Sequence, residues 1–361
     1  MKLTKFIALI AAVATFAVGC EQEPVGDGGN TSGGAVLAAN NASVEVNTPI
    51  TFTVTATDGT DITAQSTIFD KTHDFVEVPN PFTPTVDGNY EFYAVSGSII
   101  TDAITVSVVP TIPAIPEDGD KANTSFNHRI LLVDHTGTGC SYCPQMMKAL
   151  KSVSETGDYH SKYYEAMAHT YGAGDPASSS AAYSVSGYYR VNSYPTLTYN
   201  FQHSTTSSYN DAHIKQQIDA LWKANGADAG IAAAASLASS SVVVNIEVKA
   251  AVANDYRVVA WLLEDGIEAK QTNATEDWMN VHDNAIRQAS TTEPITGHDL
   301  GTIAAGATAD TALTLEISTD KWVRDNLKVL IIVSAKGADG KFEVANVAMC
   351  PANGSVEYDY K

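Results

Sequence analysis

The chain has 361 residues, of which 44% are hydrophobic, so it can bury sizeable cores and global disorder is excluded. Its formal net charge is −20, from 21 Lys and Arg against 41 Asp and Glu, and phosphate backbones would repel such a surface. We therefore expect no nucleic-acid partner, and four cysteines in this length exclude a disulfide-dense miniprotein.

The N-terminus has the pattern of a bacterial secretory signal. A basic start precedes an apolar run over residues 6–18, which is too short to span a bilayer. The following Gly19-Cys20 completes a sequence that resembles the lipobox of bacterial lipoproteins, although Ala17 stands where Leu is usual. The resemblance implies a signal peptide over 1–19 and a lipid bilayer as partner, through acylation of Cys20.

Three segments follow before any candidate chemistry appears. Residues 20–34 are polar and rich in glycine, which predicts a flexible tether. Residues 35–110 alternate apolar and polar side chains in six or seven short runs separated by turn signals, which predicts an immunoglobulin-like β-sandwich. Residues 111–126 combine proline and charge without periodicity, which predicts a linker.

Strand and helix patterns alternate over residues 127–226, which predicts a central α/β domain. Continuous apolar or β-branched runs predict strands, and apolar residues at helical spacing predict helices. The predicted strands are 129–134, 163–170 and 194–200, and the predicted helices are 143–153 and 212–225. Residues 227–361 return to strand patterns, which predicts a C-terminal β-sandwich.

Cys140 and Cys143 follow a predicted strand and open a predicted helix. The partial positive charge of a helix N-terminus favours a thiolate, which is the attacking species in thiol–disulfide exchange. The pair therefore indicates a redox site. An inert structural disulfide in an oxidising compartment remains the alternative.

Two further features resemble the thioredoxin superfamily. Asp134 lies six residues before Cys140, where that superfamily has a buried acid. The sequence Tyr-Pro-Thr at residues 194–196 resembles its cis-proline motif. The resemblance implies a thioredoxin-like fold for the central domain. Two departures, Gly139 in place of Trp and Ser-Tyr in place of Gly-Pro between the cysteines, leave the redox properties open.

The same resemblance implies roles for individual residues. Cys140 would be the nucleophile and Cys143 the resolving thiol, with Asp134 accepting the proton of Cys143. Pro195 would form a cis peptide bond and face the sulfur atoms. The residues expected to contact a peptide substrate are Tyr142, Tyr194 and Thr196.

The motif Thr-Gly-Thr-Gly-Cys-Ser-Tyr-Cys-Pro at residues 136–144 resembles one in Bacteroidetes outer-membrane lipoproteins related to a 28-kilodalton outer membrane protein. That resemblance implies anchoring in the cell outer membrane. The predicted fold class is multidomain α+β, with an N-terminal immunoglobulin-like sandwich, a central thioredoxin-like α/β domain and a C-terminal sandwich.

The predicted function is a thiol–disulfide oxidoreductase acting on extracytoplasmic protein disulfides. The alternative is a non-catalytic surface lipoprotein, a binding or adhesion module whose cysteine pair is a structural disulfide. We expect neither a cofactor nor a metal ion, with a soft-metal site of the cysteines, His135 and His169 as a minor alternative.

Overall fold

The described part of the chain comprises residues 34–202, 205–206, 209–317, 319 and 321–361 of a computed structural model. The predicted signal peptide, Cys20 and all of the predicted tether except Gly34 lie outside these residues. Within the described part, every helix is too short or too polar to cross a membrane.

Residues 35–109 fold into two β-sheets around a core of their own. The strands are β1 (Ala35–Ala39), β2 (Ser43–Glu45), β3 (Phe52–Ala56), β4 (Thr67–Asp70), β5 (Val76–Val78), β6 (Gly88–Ser96), β7 (Ile99–Ile100) and β8 (Ile104–Val109). β1 pairs with β3, and the second sheet has the order β2-β8-β6-β4-β5, with β7 beside β6. Alternating side chains such as Phe52, Phe92 and Val106 fill the space between the sheets, so the all-β character predicted here is observed.

Three α-helices occur among the described residues, all between residues 143 and 221. The elements of this region are β9 (Ile130–Thr136), α1 (Cys143–Ser154), β10 (Tyr163–His169), α2 (Ser180–Tyr188), β11 (Thr196–Tyr199), β12 (Thr205–Thr206) and α3 (Asp211–Leu221). The strands that follow are β13 (Ala229–Leu237), β14 (Ser241–Ala250), β15 (Asn254–Glu264), β16 (Ile267–Glu268), β17 (Val281–His282), β18 (Ala285–Ala289), β19 (His298–Ile303), β20 (Thr308–Glu316), β21 (Leu327–Lys336), β22 (Phe342–Pro351) and β23 (Gly354–Val356).

One nine-stranded sheet joins the central and C-terminal regions. Its order is β12-β11-β9-β10-β18-β15-β21-β22, and β19 pairs with β15. The junction is a parallel contact between β10 and β18, in which Met167 pairs with Ala285. A four-stranded sheet of order β20-β14-β13-β23 packs against it, and β16 pairs with β17 in a short separate ladder.

The two faces of the large sheet are covered differently. Helix α2 packs on one face, where Val133, Trp261 and Ile332 share a core with Val185. On the opposite face, α1 and α3 cover β9, β10 and β11, and the four-stranded sheet covers the strands further along. Because both faces are covered, all seven residues of β9 are buried.

The prediction of a central thioredoxin-like α/β domain is wrong. The structure is mostly β-sheet, with 43% strand and 14% helix. The strands predicted for residues 127–226 lie inside the nine-stranded sheet, whose other members come from the C-terminal region. The physical reason is that β10 pairs with β9 along one edge only. The backbone N–H and C=O groups along its other edge need partners, and β18 of the C-terminal region supplies them.

Candidate functional site

The loop between β9 and α1 carries the two cysteines. β9 ends at Thr136, and a turn follows in which the Cys140 amide donates to the Gly137 carbonyl at 3.0 Å. α1 begins at Cys143 with Pro144 in its first turn, where the missing N–H of proline costs nothing. The predicted helix start is therefore observed.

Cys140 and Cys143 form a disulfide with their Cα atoms 5.5 Å apart. Both residues are buried, with 2% of Cys140 and none of Cys143 exposed. The remaining described cysteine, Cys350, is a free thiol in the core between the sheets, and burial raises its pKa to about 11.

Residues 271–273, which we call the cover segment, lie over the cysteine loop. The Gln271 side-chain amide donates to the Cys140 carbonyl at 2.9 Å, and the Asn273 amide donates to the Ser141 carbonyl at 3.3 Å. The Thr272 backbone amide donates to the Thr138 carbonyl at 2.8 Å. Three hydrogen bonds from a distant part of the chain thus hold the backbone of the cysteine loop in place.

The connection between β10 and α2 also holds the cysteine loop in place. A carboxylate oxygen of Asp175 accepts from the Thr138 amide at 2.7 Å and from His169 Nδ1 at 2.9 Å. Burial acts to raise the pKa of Asp175, but these hydrogen bonds outweigh it and hold the pKa well below its usual value. Asp175 is therefore a carboxylate that fixes the start of the cysteine loop.

Asp134 lies in β9, fully buried, and neither carboxyl oxygen has a hydrogen-bond partner. Burial, and next the charge of Glu165, raises its pKa well above the usual value. The β9–β10 register pairs Glu165 with Leu132, so Glu165 shares a sheet face with Asp134, the face that α1 covers. Burial, and next the charge of Asp283, raises the pKa of Glu165 to about 7.

The bond between Tyr194 and Pro195 is cis, as predicted. Thr196 pairs with His135 near the end of β9, so Pro195 lies at the sheet edge from which the cysteine loop departs. The Tyr194 hydroxyl contacts the Thr170 hydroxyl at 3.0 Å, and its ring lies 5.2 Å from that of Tyr171. The structure therefore brings Asp134, the cysteine pair and residues 194–196 to one end of the sheet, while their roles stay predictions.

Two tyrosines near the loop face solvent. Tyr142, between the cysteines, is 61% exposed, and Tyr171 is 45% exposed. The Tyr171 ring lies beside Gly139, at 3.9 Å from the point where a Cβ on that glycine would be. Thr196, by contrast, is buried, and its hydroxyl donates to the Ser193 carbonyl at 2.8 Å. Of the predicted substrate contacts, Tyr142 is thus the most accessible.

The histidines considered as soft-metal ligands have other partners. His135 Nδ1 lies 2.8 Å from the Ser186 hydroxyl and Nε2 lies 3.0 Å from the Thr198 hydroxyl. Burial lowers the pKa of His135 to about 3, which keeps the ring neutral. His169 Nδ1 donates to the Asp175 carboxylate, so the hydrogen bonds of neither histidine are directed toward the cysteine pair.

Sequence reasoning missed Gln271, Asn273 and Asp175. Gln271 lies 131 residues beyond Cys140, in a polar stretch with no local signal of a contact with the loop. Asp175 does carry a weak signal, since Asp175-Pro176 is a turn-initiating pair in the connection that follows β10.

These features define a β-rich protein with a closed disulfide loop at one end of its main sheet. Residues 182–353 match the family model of the outer membrane protein Omp28. The predicted relationship to this family, and with it the predicted outer-membrane location, is confirmed. No curated protein matches the sequence at a significant level.

Among solved structures, HBP35 of Porphyromonas gingivalis is similar in fold, with a TM-score of 0.52 over 63% of this chain and 76% of that chain. The sequences are 16% identical, so the likeness shows the fold alone. Domains 4–9 of the surface layer protein SbsC align over 91% of this chain and 51% of that chain at 9% identity, but their TM-score of 0.18 is too low to show a shared fold.

Proposed function

We propose that the protein is a non-catalytic binding module of the outer membrane, anchored through acylated Cys20, in which the Cys140–Cys143 disulfide is a structural cross-link. One observation carries this proposal: the disulfide is buried, with 2% of Cys140 and none of Cys143 exposed, and the cover segment is hydrogen-bonded to its loop. A disulfide exchanges only with a thiolate that reaches one of its sulfur atoms, so burial protects it.

As a structural cross-link, the disulfide would hold an exposed side chain of its loop in a fixed position. The disulfide closes a four-residue ring in which Ser141 and Tyr142 are exposed, and the neighbouring Tyr171 is also exposed. Tyrosine is enriched at protein interfaces because it contributes a large contact area and a hydroxyl at low conformational cost. We therefore assign Tyr142 and Tyr171 to a surface that binds a protein or peptide partner.

A second candidate is the thiol–disulfide oxidoreductase. Its support is the position of the disulfide at the N-terminus of α1, where a Cys143 thiolate would be stabilised. A further support is the buried Asp134 on the sheet face that α1 covers, because its raised pKa makes its carboxylate a stronger base for the proton of Cys143. This candidate requires the cover segment to open.

Insulin reduction and disulfide trapping separate the two candidates. For a structural disulfide, the full-length chain gives no insulin turnover above the dithiothreitol background, and Cys143→Ser traps no mixed disulfide through Cys140. An oxidoreductase would instead show turnover that Cys140→Ser abolishes, and reducible adducts on a gel with Cys143→Ser. That pair of results would replace the binding-module proposal.

The cover segment itself supplies a matched test. Gln271→Ala removes the hydrogen bond to the Cys140 carbonyl, so dithiothreitol should reduce the disulfide at least severalfold faster than in the wild type. Gln145→Ala, an exposed glutamine in the first turns of α1, is the control and should leave the rate unchanged. Equal rates in wild type and Gln271→Ala would show that the segment does not protect the disulfide.

A further inference from the structure

A cleft of about 600 Å³ lies at the opposite end of β9 and β11 from the cysteine loop. The cleft is lined by residues of α2, of the segment after β11, of β15, of the β18–β19 connection and of the β21–β22 turn. Those used in the argument are Tyr188, Phe201, Arg257, Ile295, Lys341 and Phe342. The cleft shares no lining residue with the cysteine loop, so what it does is independent of the role of the disulfide.

Arg257 in this cleft is a half-buried cation that forms no ion pair with the described residues. Its Nε is buried without a hydrogen-bond partner, and no described carboxylate lies within ion-pair distance of its guanidinium. The other described arginines with restricted exposure have partners: Arg129 pairs with Asp359, Arg287 pairs with Glu264 at 2.6 Å, and Arg324 donates to the backbone carbonyls of Ala238 and Ser239. A guanidinium left partly desolvated and unpaired is costly unless an anion completes it.

The contacts of Arg257 determine which of its N–H groups a ligand could reach. Its guanidinium carbon lies 4.1 Å from the centre of the Phe342 ring, so one face of the guanidinium is covered by that ring. Because Nε is buried, the two Nη groups at the end of the stacked guanidinium are the ones that can donate hydrogen bonds to a carboxylate. The apolar side chains Phe201 and Ile295 are more than nine-tenths buried beside it.

The charged residues at the rim of the cleft form no ion pair with Arg257. Lys341 pairs with Asp339 at 3.3 Å, and both are exposed. Glu343 is exposed at the rim and makes no ion pair with Arg257. The Tyr188 hydroxyl donates to the Phe201 carbonyl at 3.1 Å, which holds that wall of the cleft in place.

We infer that this cleft binds a small organic acid, with the carboxylate of the ligand on Arg257 and its apolar body against Phe201 and Ile295. The volume lies within the range of roughly 300–1,000 Å³ that ligand pockets occupy. The ligand class follows from the chemistry of the lining: one unpaired guanidinium next to a buried apolar floor.

Dansylglycine is a suitable probe because it joins one carboxylate to an apolar fluorescent ring. We expect saturable binding of one molecule per full-length chain, with an increase in dansyl emission. Phenylacetate should displace it, and phenylacetamide, which lacks the charge, should not. Arg257→Gln should weaken binding about tenfold or more, the size expected for a charge-assisted pair, and Arg257→Lys should restore part of it.

Arg190→Gln is the matched control, because this exposed arginine does not line the cleft, and it should bind dansylglycine like the wild type. The inference is overturned if binding is not saturable, if Arg257→Gln binds as tightly as the wild type, or if phenylacetamide competes as well as phenylacetate. None of these results bears on insulin turnover, so failure here is distinguishable from failure of the proposed function.

Discussion

Asp134 and Glu165 bring two carboxyl groups into the interior beside α1, and neither has a compensating cation in hydrogen-bond contact. Asp134 has no partner for either oxygen, and Glu165 Oε1 is also buried without one. Burial raises the pKa of both groups, so folding retains protons that the unfolded chain would release near neutral pH. The free-energy cost of burying these two carboxyl groups therefore depends on pH.

The sign follows from linkage. A carboxyl whose folded pKa lies above its unfolded value binds more protons in the folded state, so stability falls as pH rises from the unfolded toward the folded pKa. For Glu165 that window runs from 4.5 to about 7, and for Asp134 it begins at 3.8 and extends well above it.

Asp134→Asn removes one of these titrations. We expect the variant to differ least from the wild type near pH 4.5, close to the start of this window, and to exceed it in melting temperature by several degrees near pH 8. Asp102→Asn, at an exposed position, should shift the melting temperature equally little at both pH values. A difference between Asp134→Asn and wild type that does not grow with pH would contradict the raised pKa.

The helices and strands around the cysteine loop were predictable where their signals are local. The apolar run before the cysteines predicted β9, and the spacing of Met146, Leu150 and Val153 predicted α1. Helix α2 was missed because its residues 180–188 are mostly small or aromatic and give a weak helical pattern; its Ser179 N-cap, which accepts from the Ala182 amide, was the available signal.

Contacts between elements that are distant in sequence could not be predicted from local sequence patterns. Asp134 and residues 194–196 could be placed at one end of a sheet because a motif spans them, whereas the cover segment comes from another region of the chain. Pairing of β10 with β18 depends on which strand edge is free in three dimensions, which periodicity does not encode.

The close approach of the β9–α1 loop to Tyr171 gives a test at the level of this connection. A Cβ on Gly137 would lie 2.3 Å from the Tyr171 carbonyl oxygen, so Gly137→Ala must displace backbone. We expect destabilisation of roughly 1–3 kcal/mol, measured by urea unfolding. Gly139→Ala is the matched control, because its nearest contact would be 3.9 Å, and it should be close to neutral. Equal effects of the two substitutions would show that the loop does not press on Tyr171.

At the scale of the whole molecule, several hydrogen bonds hold the predicted linker of residues 111–126 against the C-terminal sheets, and one buried lysine makes three of them. Lys249 Nζ, on β14, donates to Asp118 Oδ2 at 2.8 Å, to the Lys121 carbonyl at 2.8 Å and to the Tyr360 hydroxyl at 3.1 Å. Phe126 also bridges to Tyr360 near the C-terminus. The chain that connects the N-terminal sandwich to the large sheet is thus held at a defined position.

Lys249→Met tests how much this attachment contributes. The substitution keeps the length of the side chain but leaves the Asp118 carboxylate and the Lys121 carbonyl without their cation, in a site where the lysine is 2% and Asp118 11% exposed. Breaking a buried pair in this way costs about 3–5 kcal/mol, so urea unfolding of the C-terminal sheets should shift to lower concentration. Protease should also cleave residues 111–126 faster, because the segment loses its anchor. Lys121→Met is the control: that side chain is 75% exposed and its ion pair with Glu117 is worth less than about 1 kcal/mol. If Lys249→Met resisted urea and protease as well as Lys121→Met does, the segment would be held by its other contacts, among them the hydrogen bonds of Tyr360 with Asp118 and of Asn245 with Pro113, and not by the lysine.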